Sequence, residues 1–372
     1  MQSLRRGIRC RAAALRHHRL PTRVLDLKTQ RCATEDGGVD SLATQAAAPA
    51  APAADAPAAP APQPAAAVAH VAQLGERLRS GIRQSMLIAP DRLELVLCTL
   101  FAGGHLLIED HPGVGKTQLA RSVAGALAAR FARVQATVDL LPTDVLGVTV
   151  WNAGSSAFEF HPGPVFTNVL LVDELNRATP KTQSGLLEVM QERQVTIDGH
   201  TYPVEAPFMV IATQNPSAGF DGTYPLPPAQ LDRFLARISL GYPTTGQETA
   251  LLRERPEIAT QPVASMADLL AAQAAVQLVA ATDPLLEYVV ALLDYTRRHP
   301  LAETGASPRA GLGLLSAARA RAALQGREYV VPDDIQAIAH PLLAHRIQPV
   351  AAAPADAQHQ VVADALSQVR AR

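Results

Sequence analysis

Between Glu109 and Thr117 the chain reads Glu109-Asp110-His111-Pro112-Gly113-Val114-Gly115-Lys116-Thr117. Two glycines, a lysine and a hydroxyl in that order are what a polyphosphate requires. Glycines let backbone N–H groups turn inward on an anion, and a helix N-terminus behind them adds partial positive charge. Lys116 is placed to reach β- and γ-phosphates and Thr117 to complete a Mg²⁺ shell. Pro112, Gly113, Val114, Gly115, Lys116, Thr117 and Gln118 are therefore the expected phosphate cradle. Asp110 stands where the pattern G-x-x-x-x-G-K-[ST] has its first glycine; Asp tolerates unusual backbone angles better than most residues.

Two carboxylates follow, Asp173 and Glu174, closing the apolar run Val169 to Val172. Asp173 is placed to hold a Mg²⁺ shell through water, and Glu174 to polarise an attacking water. Asn215 comes just after the apolar run Phe208 to Ala212, where its amide can hold that water or a γ-phosphate. Each has a bland alternative, since charged residues commonly end strands and Asn commonly starts turns. A phosphate loop in the same domain favours the chemistry. Arg309 follows Ser307-Pro308 in the first turn of a helix, where a cation opposes the helix dipole and implies a nearby anion. Arg309 as a tolerated surface charge is the alternative, and Arg233 on its own reads as one too.

These residues need elements that bring them together. Leu106 to Ile108 is short and apolar enough for a buried strand, and Gln118 to Arg130 has a helical apolar stripe. Phe131 to Val138, Val169 to Val172 and Phe208 to Ala212 read as further strands. Buried parallel strands deliver residues at their carboxyl ends to one sheet edge, where open α/β folds bind ligands. Asp139 to Gly147 reads as a short helix or turn. Two β-hairpins interrupt the pattern: Val148–Trp151 with Ala157–Phe160, and Gln194–Ile197 with Tyr202–Val204, the second turned at Asp198-Gly199. Trp151 on the first either packs or contacts a partner. Helices are expected over Val71 to Ile82, Arg92 to Phe101 capped by Asp91, from Thr179-Pro180 onward, and Pro227 to Phe234. Beyond Pro243 the strand pattern stops. Thr244/Thr245 with Gln247/Glu248 opens a helical, Ala/Leu-rich region whose last helix runs from Pro354 to Arg370. The division is 1–67 extension, 68–243 α/β core and 244–372 helical domain.

With 33 basic and 34 acidic residues the formal charge is −1, so no global field draws the chain to nucleic acid or a membrane. No run approaches the ~18 apolar residues of a membrane span, and a soluble, cytoplasmic protein is expected. Cys10, Cys32 and Cys98 have neither metal nor redox spacing, which suits a reducing compartment. Met1 to Arg31 is Arg-rich and acid-poor, which fits a transit peptide, a misassigned start or a basic arm. Ala46 to Ala67 is almost all Ala and Pro and cannot bury a core, so the stretch is read as a non-folding extension.

From Val68 to Val369 the sequence resembles the MoxR family of AAA+ ATPases. The likeness rests on Glu109 to Thr117, Asp173-Glu-Leu-Asn-Arg-Ala178, Pro180 to Ile197, Ala212-Thr-Gln-Asn-Pro216, Gly222 to Pro227, Leu231-Asp-Arg-Phe234, Ser307-Pro-Arg-Ala310 and Leu343-Ala-His-Arg-Ile347. Acidic Asp110 is a common variant there. The resemblance implies an AAA+ P-loop NTPase core, a parallel sheet sandwiched by helices with β-hairpin inserts, and a C-terminal all-helical lid. It implies ATP and Mg²⁺ as cofactors, Lys116 and Thr117 as Walker A, Asp173 and Glu174 as Walker B, and Asn215 as sensor 1. Arg233 looks like an arginine finger for a neighbouring subunit, and Arg309 like sensor 2 from the lid. A homo-oligomeric, usually hexameric ring acting on a protein client is expected, often beside proteins with von Willebrand factor A domains. The segment Ser217 to Asp221 departs from the family's Glu-rich linker.

Two rival classes are a non-hydrolysing nucleotide-sensing scaffold, against which Glu174 and Arg233 speak, and a nucleic-acid remodeller. A remodeller of nucleic acid should carry basic hairpins, and the hairpin at Val148 to Phe160 has no Lys or Arg. The composition of the extension predicts that deleting Met1 to Ala67 leaves the melting temperature and the ATPase rate nearly unchanged. A large drop in either would mean that the extension packs on the core.

Overall fold

The computed structural model describes residues 64–215, 223–242, 245–253 and 260–371. The extension up to residue 63, the departure at Ser217 to Asp221 and the Thr244 cap lie outside the described residues. Elements follow in chain order: α1 (Pro64–Ser85), α2 (Pro90–Phe101), β1 (Leu106–Glu109), α3 (Lys116–Ala126), β2 (Phe131–Gln135) and α4 (Pro142–Leu146). Next come β3 (Gly147–Asn152), β4 (Ala157–Pro162), β5 (Val169–Asp173), α5 (Pro180–Glu192), β6 (Gln194–Ile197), β7 (His200–Pro203), β8 (Met209–Gln214), α6 (Pro228–Leu231) and β9 (Ala236–Ile238). The remainder is α7 (Thr245–Arg253), α8 (Met266–Val276), α9 (Asp283–Arg298), β10 (Ala302–Thr304), α10 (Pro308–Leu324), α11 (Pro332–Leu343), β11 (Gln348–Pro349) and α12 (Ala357–Gln368).

Five strands form one sheet in the order β2-β5-β8-β1-β9, and every pairing in it is parallel. Strand side chains alternate between faces, and the inner strands β5, β8 and β1 are buried on both. Leu106, Ile108, Val169, Leu171, Met209 and Ile211 point to one apolar cluster, which they share with α1–α3 and α8–α12. Leu107, Leu170, Val172, Val210 and Ala212 point to a second, closed by Leu186, Leu187 and Met190 of α5. The near-continuous apolar runs of the sequence are the consequence of serving two cores at once.

Most elements start where local chemistry says they should. Thr179 caps α5 by accepting from the Thr182 N–H, and Ser307 caps α10 by accepting from the Ala310 N–H. Gly326 lies just past α10 at φ +73°. Four differences have physical reasons. Helix α1 begins at Pro64, inside the stretch read as linker, because Ala is the best helix former and Pro is tolerated at the first position. Helix α2 starts at Pro90 with Ala89 before it, so Asp91 is inside its first turn and does not cap it. The helix expected over Pro227 to Phe234 is a single turn, α6; at Leu235 the backbone N–H leaves to pair with the His105 carbonyl. The following β9 has three residues, too few to show a period in the sequence. A two-stranded ribbon of β10 and β11 lies among the helices of the C-terminal region.

A buried ionic cluster ties that region together. Asp334, wholly buried at the start of α11, pairs with Arg321 (2.7 Å) and Arg327 (2.6 Å) and accepts from the Val331 N–H. Arg321 also reaches Glu94 on α2 at 3.0 Å. Burial pushes the Asp334 carboxyl up, but hydrogen bonds from Arg327, the Val331 N–H and Arg321 outweigh it and hold the group below its ordinary value of 3.8. A depressed carboxylate stabilises the fold fully above its unfolded value and loses that contribution as pH falls through the folded one. Asp334→Ala should cost about 3–5 kcal/mol at pH 7, the scale for removing one partner of a buried pair. In urea melts the gap between parent and variant should narrow only below the ordinary value of 3.8.

Candidate active site

The carboxyl ends of β1, β5 and β8 open on one cleft of about 250 Å³. It is lined by Pro112, Gly113, Gly115, Lys116, Thr117 and Gln118 from the glycine loop, and by Arg133, Gln135, Asp173, Glu174, Thr213 and Asn215 from strand ends. The loop can take this path because Gly113 and Gly115 sit at φ +88° and +92°. A Cβ at Gly113 would meet nothing within 4 Å, so backbone angle and not space demands glycine there. Gly115 caps α3, and Lys116 is its first residue with no acid in the first turn, so the free N–H groups and the positive helix end face the cleft.

Asp110 has a use that its backbone angle does not explain, because it is not among the residues of positive φ. Its buried Oδ2 accepts from the Leu240 N–H (2.5 Å), the Gly241 N–H (3.0 Å) and the Ser239 hydroxyl (3.1 Å). The carboxylate anchors the base of the loop to the chain just past β9, which glycine could not do. Lys116 Nζ donates to the Asp110 carbonyl. Partial burial pulls the Lys116 ammonium below the usual lysine range, while Asp110, Asp173, Glu174 and Glu109 act to raise it. A triphosphate arriving there would supply the anion that this ammonium is placed to meet.

Opposite the loop, Asp173 forms an ion pair through Oδ2 with Arg133 Nε at 2.7 Å and accepts from the Thr213 hydroxyl at 3.3 Å. Glu174 adopts the left-handed backbone (φ +57°), with its N–H donating to Thr213 Oγ1 at 2.9 Å. Its Oε2 pairs with Arg177 at 2.8 Å and accepts from Gln135 Nε2 at 3.3 Å. Among the described residues no three His, Cys, Asp or Glu side chains group as a metal site. That donor set fits Mg²⁺, which is held by one or two carboxylates together with substrate phosphates and water. Asp173 and Thr117 are the residues that would hold it.

Thus the cleft gathers Lys116, Thr117, Asp173, Glu174 and Asn215, all expected from the sequence. Val114, Arg233 and Arg309 are not among its lining residues. Arg309 is exposed at the start of α10. Arg233 is half-buried and its Nη1 donates to the Leu187 carbonyl of α5 at 2.6 Å. Phe234 beside it is fully buried and Leu231 partly so, joined by a turn where a longer helix was expected. Arg133, Gln135 and Thr213 were missed. Arg133 and Gln135 are two apart on β2 and so share a face, a signal that counts only once β2 is known to lie beside β5.

Residues 105–236 match the ATPase family associated with various cellular activities (AAA), and residues 294–365 match the AAA lid domain. The chain is 48% identical over 257 residues to the Bacillus subtilis protein YeaC, covering 68% of this chain and 80% of that one. It is 41% identical over 275 residues to chaperone MoxR1 of Mycobacterium tuberculosis, covering 70% and 72%. A crystal structure of a candidate ATPase from Cytophaga hutchinsonii superposes with a TM-score of 0.76 at 34% identity, over 82% of this chain and 97% of that one. With the phosphate cradle and acidic strand end meeting in one cleft and a lid region following it, the chain belongs to the MoxR family of AAA+ ATPases.

Proposed function

We propose that this ATPase hydrolyses Mg²⁺-ATP as a ring, most simply a hexamer, and uses the cycle to remodel or activate a partner protein complex. The observation that carries the reading is the division of labour around the cleft: Lys116, Thr117, Asp173, Glu174 and Asn215 line it, and Arg233 does not. Mg²⁺, which Asp173 and Thr117 would hold, would offset the charge of the phosphates. Within the chain, Lys116 and the α3 N-terminus hold the β- and γ-phosphates, and Asp173 with Thr117 keeps the cation in register. Glu174, fixed through its backbone by Thr213, takes the proton of the attacking water, and Asn215 orients that water. Arg233 supplies the remaining charge to the next subunit, and Arg309 reports the γ-phosphate to the lid. Phosphoryl transfer of this kind is positioning plus charge stabilisation.

A protein client is favoured over nucleic acid by the β3–β4 hairpin, where Trp151 (53% exposed) and Phe158 (71% exposed) meet edge to face at 5.1 Å without a Lys or Arg on either strand. The chaperone name of the mycobacterial relative points the same way. A companion carrying a von Willebrand factor A domain, and a cytoplasmic setting suited to the free buried thiol of Cys98, complete the proposal. No helix among the described residues is long and apolar enough to cross a membrane.

Two experiments test it. Glu174→Gln should keep ATP affinity and lose turnover by about 10²–10⁴-fold, the worth of a general base, whereas Lys116→Ala should weaken ATP binding itself. Equal loss of binding in both variants, followed by equilibrium titration, would sink the role assignment. Arg233→Ala should bind ATP and lose about 10³–10⁵ in rate. Mixed with Lys116→Ala, it should regain part of the activity at concentrations where rings form, because some interfaces then join an intact site to an intact finger. Normal hydrolysis by Arg233→Ala alone would show that the arginine has another role.

A further inference from the structure

The sequence motif Leu343-Ala344-His345-Arg346-Ile347 has no place in the chemistry above, yet its two polar side chains, His345 and Arg346, are buried. Arg346, with 3% of its side chain exposed, forms an ion pair through Nε with Asp232 Oδ1 at 3.0 Å. Its Nη2 donates to the Phe234 carbonyl at 2.9 Å and to the Asp232 carbonyl at 3.3 Å. The His345 ring Nε2 bonds the same Phe234 carbonyl at 3.1 Å. Arg346 therefore closes on both neighbours of Arg233, Asp232 and Phe234, and His345 on Phe234 alone. Gly313 of α10 makes this possible: a Cβ there would lie 2.9 Å from Leu235 and 3.4 Å from the Arg346 guanidinium.

Asp232 has a second partner. Ser307 donates its hydroxyl to Asp232 Oδ2 at 3.1 Å and Oδ1 at 3.3 Å, while the same oxygen accepts from the Ala310 N–H to cap α10. A hydroxyl has one proton to give and lone pairs to receive, so one atom joins the helix start to the carboxylate. Arg309 lies two residues further on. Its charge is felt at Arg346, where burial first, and Arg309 with it, pulls the guanidinium down to about 10 against the pull of Asp232. Arg233 itself is fixed on its other side by the Leu187 carbonyl.

We infer that Asp232 is a positioning residue: held by Arg346 and Ser307, it couples the placement of Arg233 to that of the α10 N-terminus carrying Arg309. The inference rests on the reading of Arg233 as an arginine supplied in trans. Movement of α10 pulls on Ser307, Ser307 pulls on Asp232, and the peptide unit that follows carries Arg233. The subunit's own lid thereby sets the geometry of the charge delivered to its neighbour. A displacement of about 1 Å in a group that stabilises a transition state can cost about 10²-fold in rate, so a short tether is a sufficient device.

The test is Asp232→Asn, which keeps shape and an acceptor for Ser307 and removes the charge that Arg346 grips. Alone, it should keep ATP affinity and lose turnover on the order of 10²-fold. Its defect should reside in the finger it gives away and not in its own cleft. Mixed with Lys116→Ala it should regain activity; mixed with Arg233→Ala it should not, because neither then supplies a competent finger. The Arg233→Ala and Lys116→Ala pairing is run beside it. Recovery in that control without recovery of Asp232→Asn by Lys116→Ala overturns the coupling alone, and so does recovery when Asp232→Asn is mixed with Arg233→Ala. Failure of the control overturns the trans reading and the coupling with it. Should Asp232→Asn not assemble, Ser307→Ala, which spares the ion pair, goes through the same mixtures with the same outcomes decisive.

Discussion

The parallel pairing of β1 with β8 is the constraint from which the cleft follows. Leu106 faces Ile211 and Glu109 faces Gln214, so Asp110 continues the ladder by donating its N–H to the Gln214 carbonyl. That register sets the first residue of the glycine loop level with Asn215. Pairing of β5 with β8, Val172 against Ala212, then brings Asp173 and Thr213 within hydrogen-bond reach. A slip of one residue would exchange the two faces of a strand buried on both sides. It would also carry Asp173 or Asn215 away from the loop. The two apolar clusters thus do more than stabilise the sheet, because their packing fixes which residues share its edge.

On this frame the polar groups are satisfied in an ordered way. Carboxylates near the loop are each held by a defined donor: Asp110 by backbone N–H groups past β9, Asp173 by Arg133, Glu174 by Arg177 and Gln135, and Glu109 by Arg237 at 3.1 Å. Acids grouped this closely would repel one another without such partners. Arg133 occupies one oxygen of Asp173 and the Thr213 hydroxyl reaches the other, so a cation held there would compete with both donors.

Local patterns in the sequence carried much of this. Apolar runs marked β1, β5 and β8, Gly113 and Gly115 marked the turn, and Thr179 and Ser307 marked helix starts, since each signal lies within a few residues. What stayed hidden was nonlocal or too short. Three-residue β9 has no period, and α6 stops after one turn because its continuation is claimed by His105 and Arg346 from elsewhere in the chain. Asp110 read as a tolerant substitute for glycine, and its partners at Ser239 to Gly241 are about 130 residues away. The grip of Arg346 on the residues flanking Arg233 spans more than 110 residues and left no trace in spacing.

The apolar faces of α1 and α2 also bear on how the chain is made. Gly75 of α1 lies where Leu324 of α10 seats, and Glu94 of α2 waits for Arg321 and for Gln325, the latter 231 residues downstream. A ribosome adding about 5–20 residues per second needs about 10–50 s to cover that distance. During that interval the cluster holding Leu74, Leu78 and Leu97 has α3 and the sheet but lacks the cover that α8 and α10 later supply. The first helices of the described chain are thus completed by some of its last, and a ribosome stalled before α10 would hold the strands of the sheet and the glycine loop without the helix that closes this apolar face.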